Sequence, residues 1–191
     1  AYDHSINYAD SPATKGGAIA FDSGMRVFIT RTTMVNNYAH FLGGAIASGS
    51  DGGSLEVTDS RMDNNHIDDS FGAGGCIFFS ADKLKVTNTT FTRGSAVSDG
   101  GGVHIESADE MAEIHDSSFE GCSALSGAGV KVDSKSYLQM SGTTFHRNKG
   151  LLGAGVSFSR ASNGKIWRGD MSECNATRAG GAIKVADGGS L

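Results

Sequence analysis

Proline is almost missing from this chain, with one in 191 residues. That excludes collagen-like and proline-rich architectures. Tryptophan occurs once and cysteine three times, so neither a disulfide framework nor a cysteine-rich metal module is built in. No run of Lys or Arg is long enough to track a phosphate backbone, and the net charge is −5, which argues against nucleic acid as a partner. Nor is any apolar stretch long enough to span a bilayer, so no membrane insertion by this segment is expected. No leader-like segment is visible either.

What the chain has in excess is glycine, with 28 residues, and the glycines recur in a pattern. The motif Gly16-Gly17-Ala18-Ile19 returns six times. Its closing apolar residue is Ile19, Ile46, Ile77, Val103, Val130, Val156 and Ile183, in steps of 27, 31, 26, 27, 26 and 27 residues. Three places earlier stands a glycine each time: Gly16, Gly43, Gly74, Gly100, Gly127, Gly153 and Gly180. Such uniformity points to a turn that needs positive φ or a close backbone approach.

A second motif runs between the first ones. A large apolar residue after small hydroxyl residues stands at Ile6, Met34, Met62, Phe91, Phe119, Phe145 and Met171. Three places later come Ala9, Asn37, Asn65, Gly94, Cys122, Asn148 and Cys174. A third apolar position precedes the second by five: Ile29, Val57, Val86, Ile114, Met140 and Ile166. Apolar and polar residues alternate in Leu55-Glu56-Val57 and Leu84-Lys85-Val86, and no 3.6-residue periodicity competes with them. The reading is an all-β, right-handed, single-stranded parallel β-helix of about seven rungs, with 26 to 31 residues and three short strands per rung. Residues 1–191 read as one segment of that solenoid. Both ends cut a repeat, so the expected partners are the rest of a longer chain or further copies stacked end to end.

Like residues should then stack. Phe91, Phe119 and Phe145 are expected to form an internal aromatic column, and Thr32, Ser60, Thr89, Ser117 and Thr143 a hydroxyl ladder at a turn. The insertion His66-Ile67-Asp68-Asp69-Ser70-Phe71 lengthens one repeat and is expected to be a surface loop. Cys122 and Cys174 share a slot two rungs apart, about 9.6 Å at a rung spacing of about 4.8 Å, beyond disulfide reach. They and Cys76 are expected to fill small, tight slots.

Pairing Gly-Gly-Ala-Ile (Gly16 to Ile19, Gly43 to Ile46, Gly180 to Ile183) with Phe-x-x-Asn (Phe145 to Asn148, and the Met-led Met34 to Asn37 and Met62 to Asn65) resembles the repeats of chlamydial polymorphic outer-membrane proteins. The resemblance covers essentially the whole chain. It implies a right-handed parallel β-helix forming the exposed passenger of a surface adhesin. Asn gives way to Gly94, Cys122 and Cys174 in some repeats, and no outer-membrane barrel is included.

Two function classes follow. One is a non-catalytic extracellular or cell-surface solenoid serving as spacer, adhesive surface or filament building block, with no cofactor or metal, and with glycans or other surface proteins as partners. The alternative is a carbohydrate-active enzyme, whose carboxylates would gather on adjacent rungs. Its best candidate column is Arg31, Asp59, Asn88, Asp116, Gly142 and Arg168, where Asp59 and Asp116 would lie about 9 to 10 Å apart, a spacing some inverting glycosidases use. Turns favour Asp and Asn for backbone reasons alone, and the non-catalytic class is preferred. Two sequons, Asn88-Thr89-Thr90 and Asn175-Ala176-Thr177, are glycan acceptors if the chain follows a eukaryotic secretory route. Trp167 shares an outward slot with Thr30, Thr58, Thr87, His115 and Ser141, where an aromatic ring marks either a surface contact or packing over a neighbouring side chain.

Overall fold

A computed structural model describes residues 4–6, 13–22, 24–50 and 52–191. Every strand pair in it is parallel, and no helix is present among the described residues. The polar–apolar alternation read from the sequence sets the inside of each strand: in Ser54–Thr58 the side chains of Leu55 and Val57 are buried and their neighbours reach outward. Because the period is two, stacking rungs in register buries the same set in every strand.

Three faces result. The first is a seven-stranded ladder running from His4–Ile6 through Thr32–Val35, Arg61–Asp63, Thr90–Thr92, Ser118–Glu120 and Thr144–His146 to Asp170–Ser172. It carries the large apolar column in register, Ile6 opposite Met34, Met34 opposite Met62, and so on to Phe145 opposite Met171. Met34, Met62, Phe91, Phe119 and Phe145 are buried and Met171 is half-buried, whereas the Ile6 side chain and all of Ala9 lie outside the described residues. The phenyl rings of Phe91 and Phe119 stack at 4.6 Å with planes 2° apart. The second face holds two three-stranded sheets, one containing Tyr38–Leu42 and the other Lys149–Leu152, linked by single bridges through Ser95. The third and largest carries the Gly-motif strands together with Arg26–Thr30, Ser54–Thr58, Tyr137–Ser141 and Asn163–Trp167.

The expectation of three short strands per rung misses a fourth in most rungs, such as Tyr38–Leu42 after Ile19–Phe21, Arg26–Thr30 and Thr32–Val35, where the stretch behind the second motif also pairs. In two successive rungs the Gly-motif strand and the one after it fuse into Ile77–Thr87 and Val103–His115, paired along their length with register shifts after Phe79 and Ala81. A bulge absorbs the bend that a turn makes elsewhere. The insertion also differs from a plain loop, since His66–Ile67 continues as a strand against Tyr38 and Ala39 before the chain turns at Asp68.

Positive φ explains the punctuation. All seven motif glycines adopt it, between 56° and 74°. At Gly127 a β-carbon would collide with the Val130 carbonyl three residues on. Two further columns have the same backbone. Arg31, Asp59, Asn88, Asp116, Gly142 and Arg168 lie between 46° and 60°, and Asn36, Asn64, Arg93, Gly121, Arg147 and Glu173 between 52° and 63°. These are the tight turns at either side of the seven-stranded ladder.

Candidate functional site

The column of Asp59, Asn88 and Asp116 is thus a turn column. Its backbone amides continue the ladder, Asp59 N–H donating to Thr87 O at 3.1 Å and Asp116 N–H to Ser141 O at 2.9 Å. Asn and Asp tolerate the left-handed conformation, which accounts for their presence without any catalytic demand. The Asn88 amide donates to Asp59 Oδ1 at 2.7 Å, and the surrounding depression is open and small, about 240 Å³, with Arg31 and Arg61 on its rim. One place after each of these turn residues the hydroxyl ladder forms: Ser60 Oγ accepts from Thr32 N–H at 3.1 Å and donates to Thr58 O at 2.8 Å, and Ser117 repeats both bonds with Thr89 N–H and His115 O.

The Asn-or-Cys slot has a chemical reason that composition did not reveal. Asn65 Nδ2 donates to Met34 O at 3.0 Å and Asn148 Nδ2 to Phe119 O at 3.0 Å, in each case the carbonyl of the apolar column one rung back. In the cysteine rungs the thiol makes the same reach, Cys122 to Phe91 O at 3.8 Å and Cys174 to Phe145 O at 3.7 Å. Asn adds a second bond, because Asn148 Oδ1 accepts from Cys122 N–H at 2.8 Å. Burial pushes the Cys122 thiol up to about 12 and raises Cys76 as well, so both are protonated and unreactive at neutral pH. All three cysteines are free.

Trp167 lies in its expected column, opposite Ser141, which in turn pairs with His115. The ring is half-buried, 6.1 Å from His115 at 63°, with Lys165 Nζ 5.4 Å from its centre. Its own neighbours occupy it. Asn88 and Asn175 are both exposed, Asn88 at a turn and Asn175 at the start of the strand Asn175–Ala179. Asp68, in the insertion, accepts from His40 Nδ1 at 3.0 Å, and its bond from the Tyr38 hydroxyl, opposed by burial and aided by His40, holds its carboxyl below the usual range. Among the described residues no group of three or more His, Cys, Asp or Glu side chains is placed to hold a metal ion.

Two arrangements were not foreseen. The first is a buried polar cluster. The middle residue of the Gly-motif strand points away from the core, yet Phe78, His104, Lys131 and Ser157 are buried, Phe78 in a cluster of its own with Ala47, Ala73 and Leu42. Lys131 Nζ donates to Asp133 Oδ1 at 2.7 Å and also to Ser159 Oγ, and Ser159 bonds to Asp133. His104 packs edge-on against Phe78, with Nε2 3.4 Å from Asp133 Oδ2 and neither ring nitrogen hydrogen-bonded. Burial pushes the Asp133 carboxyl up, but His104, Lys131 and Ser159 outweigh that and leave it well below the ordinary carboxylate range. The Lys131–Asp133 pair is thus buried with each charge met by the other and by Ser159.

The second is a cleft of about 550 Å³ on the third face. Its floor is the outward side of three paired strands, with Arg26 beside Ser54 and Lys83, and Phe28 beside Glu56 and Lys85. Asp82 and Glu110 rise at one end, where the equivalent residue of the preceding rung is Gly53 and has no side chain. Asp82 Oδ2 accepts from Gly53 N–H at 3.1 Å, and Lys85 Nζ is 3.6 Å from Glu56 Oε1. Among the described residues the side chains of Arg26, Lys83 and Glu110 have no ion-pair or hydrogen-bond partner. A family model described as a right handed beta helix region matches residues 54–191. No curated protein and no solved structure matches the chain.

Proposed function

The chain belongs to the right-handed β-helix family, and on that premise we propose that it works without catalysis, as an extracellular or cell-surface solenoid. In this reading it is a spacer, an adhesive surface or a filament building block, and its partners are glycans or other surface proteins. The observation that carries the reading is the best catalytic column itself: it accepts Arg31, Gly142 and Arg168 in the same backbone conformation as Asp59 and Asp116. Repeats resembling those of surface adhesins, and the exposure of both sequons, support the extracellular placement.

One observation favours the enzyme reading instead, namely that Glu56, Asp82 and Glu110 meet in a single cleft. Incubating the purified protein with neutral and acidic polysaccharides and following new reducing ends decides between them. Retention on a polysaccharide or cell surface with no new ends is the expected result. Reducing ends above a heat-denatured control, lost in Glu56→Gln or Glu110→Gln, would overturn the non-catalytic reading.

A further inference from the structure

We propose that the cleft around Phe28 is a binding site for an uncharged oligosaccharide, one ring of which lies on the phenyl face. This rests on the non-catalytic reading above and gives it a ligand class and a location. Phe28 is 68% exposed on a strand whose other solvent-facing residues are polar, so folding alone gives no reason for it. Its ring edges a concavity within the size range of small-ligand sites.

The lining selects the chemistry. Among the described lining residues three cations, Arg26, Lys83 and Lys85, face three carboxylates, Glu56, Asp82 and Glu110, so their charges balance. A polyanion would meet those carboxylates on a protein of net charge −5, and a polycation would meet the bases. An apolar cofactor would find one aromatic ring and little else. A pyranose offers what the lining matches: an apolar C–H face for Phe28, and hydroxyls that donate to Glu110 and accept from Arg26 and Lys83, the groups left without partners. Glycines at 24, 52 and 53 keep the approach open, a β-carbon on Gly24 meeting nothing within 4 Å. The polar columns repeat along the solenoid axis at about 4.8 Å per rung, close to the length of one sugar residue, so successive rungs present donors and acceptors to successive rings.

The test is isothermal titration of the whole chain with cello-, xylo-, manno- and chito-hexaose, alongside oligogalacturonate and a heparin hexasaccharide as acidic arms. Binding of at least one neutral hexasaccharide is expected, weakened about tenfold or more by Phe28→Ala and by Arg26→Ala, and unchanged by Trp167→Ala at the far end of the same face. Circular dichroism melts of each variant separate lost binding from lost folding, and Phe28→Tyr should retain binding. No binding to any neutral probe, binding to the acidic probes alone, or equal loss in Trp167→Ala would overturn the assignment. Chain-end analysis of the bound sugar keeps the two proposals apart. Cleavage would overturn the non-catalytic reading and leave the cleft in place, whereas absence of both binding and cleavage would overturn the cleft and leave that reading standing.

Discussion

Phe119 lies face to face with Phe145, ring centres 4.9 Å apart and planes 5° from parallel, while the backbones beneath pair residue for residue. Ring spacing therefore equals rung spacing, and the column is continuous from Phe91 onward. Phe119→Ala removes the middle ring of three and leaves a cavity that rigid neighbouring rungs cannot close. A loss of roughly 3 to 5 kcal/mol is expected, read as a drop in the denaturant midpoint. An unchanged midpoint would mean that the column contributes nothing to stability.

Gly127 and Gly24 form a contrasting pair, since both have positive φ, 58° and 71°, but only Gly127 would place a β-carbon against backbone. Gly127→Ala is expected to cost more than about 1 kcal/mol, and Gly24→Ala less. Parallel thermal melts compare them, and equal losses would show that φ rather than the Val130 carbonyl sets the cost.

The shared carbonyl target makes Asn and Cys interchangeable in a limited sense. Asn148→Cys keeps a donor for Phe119 O but leaves Cys122 N–H without its acceptor, while Asn148→Ala leaves both groups unpaired. Each buried orphan costs about 1 to 3 kcal/mol. The expected stability order is therefore wild type, Cys, Ala, and urea titration of the three proteins checks it.

Asp133 predicts an acid dependence. Its folded-state carboxyl is depressed by His104, Lys131 and Ser159 in spite of burial, so its contribution is fully present above the ordinary carboxylate value of about 3.9 and is lost as pH falls toward its lower folded value. Asp133→Asn should flatten the stability profile in that acid window. At neutral pH it should cost roughly 3 to 5 kcal/mol, because Lys131 is left buried and unpaired. Denaturant midpoints from neutral pH down into the acid range give both quantities.

Much of this fold was legible because a parallel solenoid writes each structural slot many times over. The Ile19 to Ile183 spacing gives the rung, and Phe91, Phe119 and Phe145 give the inside. What one copy of the chain could not disclose was the burial of outward slots. Strand alternation alone would put Lys131 and His104 in solvent, whereas both are buried, Lys131 against Asp133 and Ser159 and His104 against Phe78. Charged residues stand in the same two slots in other repeats, as His104, Lys184, Asp22 and Glu106 do, so the Lys131-x-Asp133 pair did not stand out from its neighbours. The strand fusions at Ile77–Thr87 and Val103–His115 were likewise hidden, since a bulge and a turn are both rich in Ser, Ala and Asp. The cleft was missed for a similar reason: Phe28 belongs to a polar column, and its walls come from residues 54 and 82 positions further along the chain, Asp82 and Glu110.

The bond from each Asn or Cys slot to the carbonyl one rung back has a consequence for how such a molecule changes size. Asn65, Cys122, Asn148 and Cys174 all ask the same carbonyl of the rung before them, and excising residues 127–152 would set the Phe119 rung directly on the Met171 rung, with Phe119 O left for the Cys174 thiol. Cys122 would then face Cys174, and Phe119 would meet Met171 in the apolar column. The body would be one spacing, about 4.8 Å, shorter and otherwise the same in cross-section. Length in this architecture is a count of similar courses, like brickwork, so duplication or loss of a whole repeat changes the reach of the surface at the cost of the few bonds peculiar to that repeat, here those of Asn148 and of the Lys131–Asp133 pair.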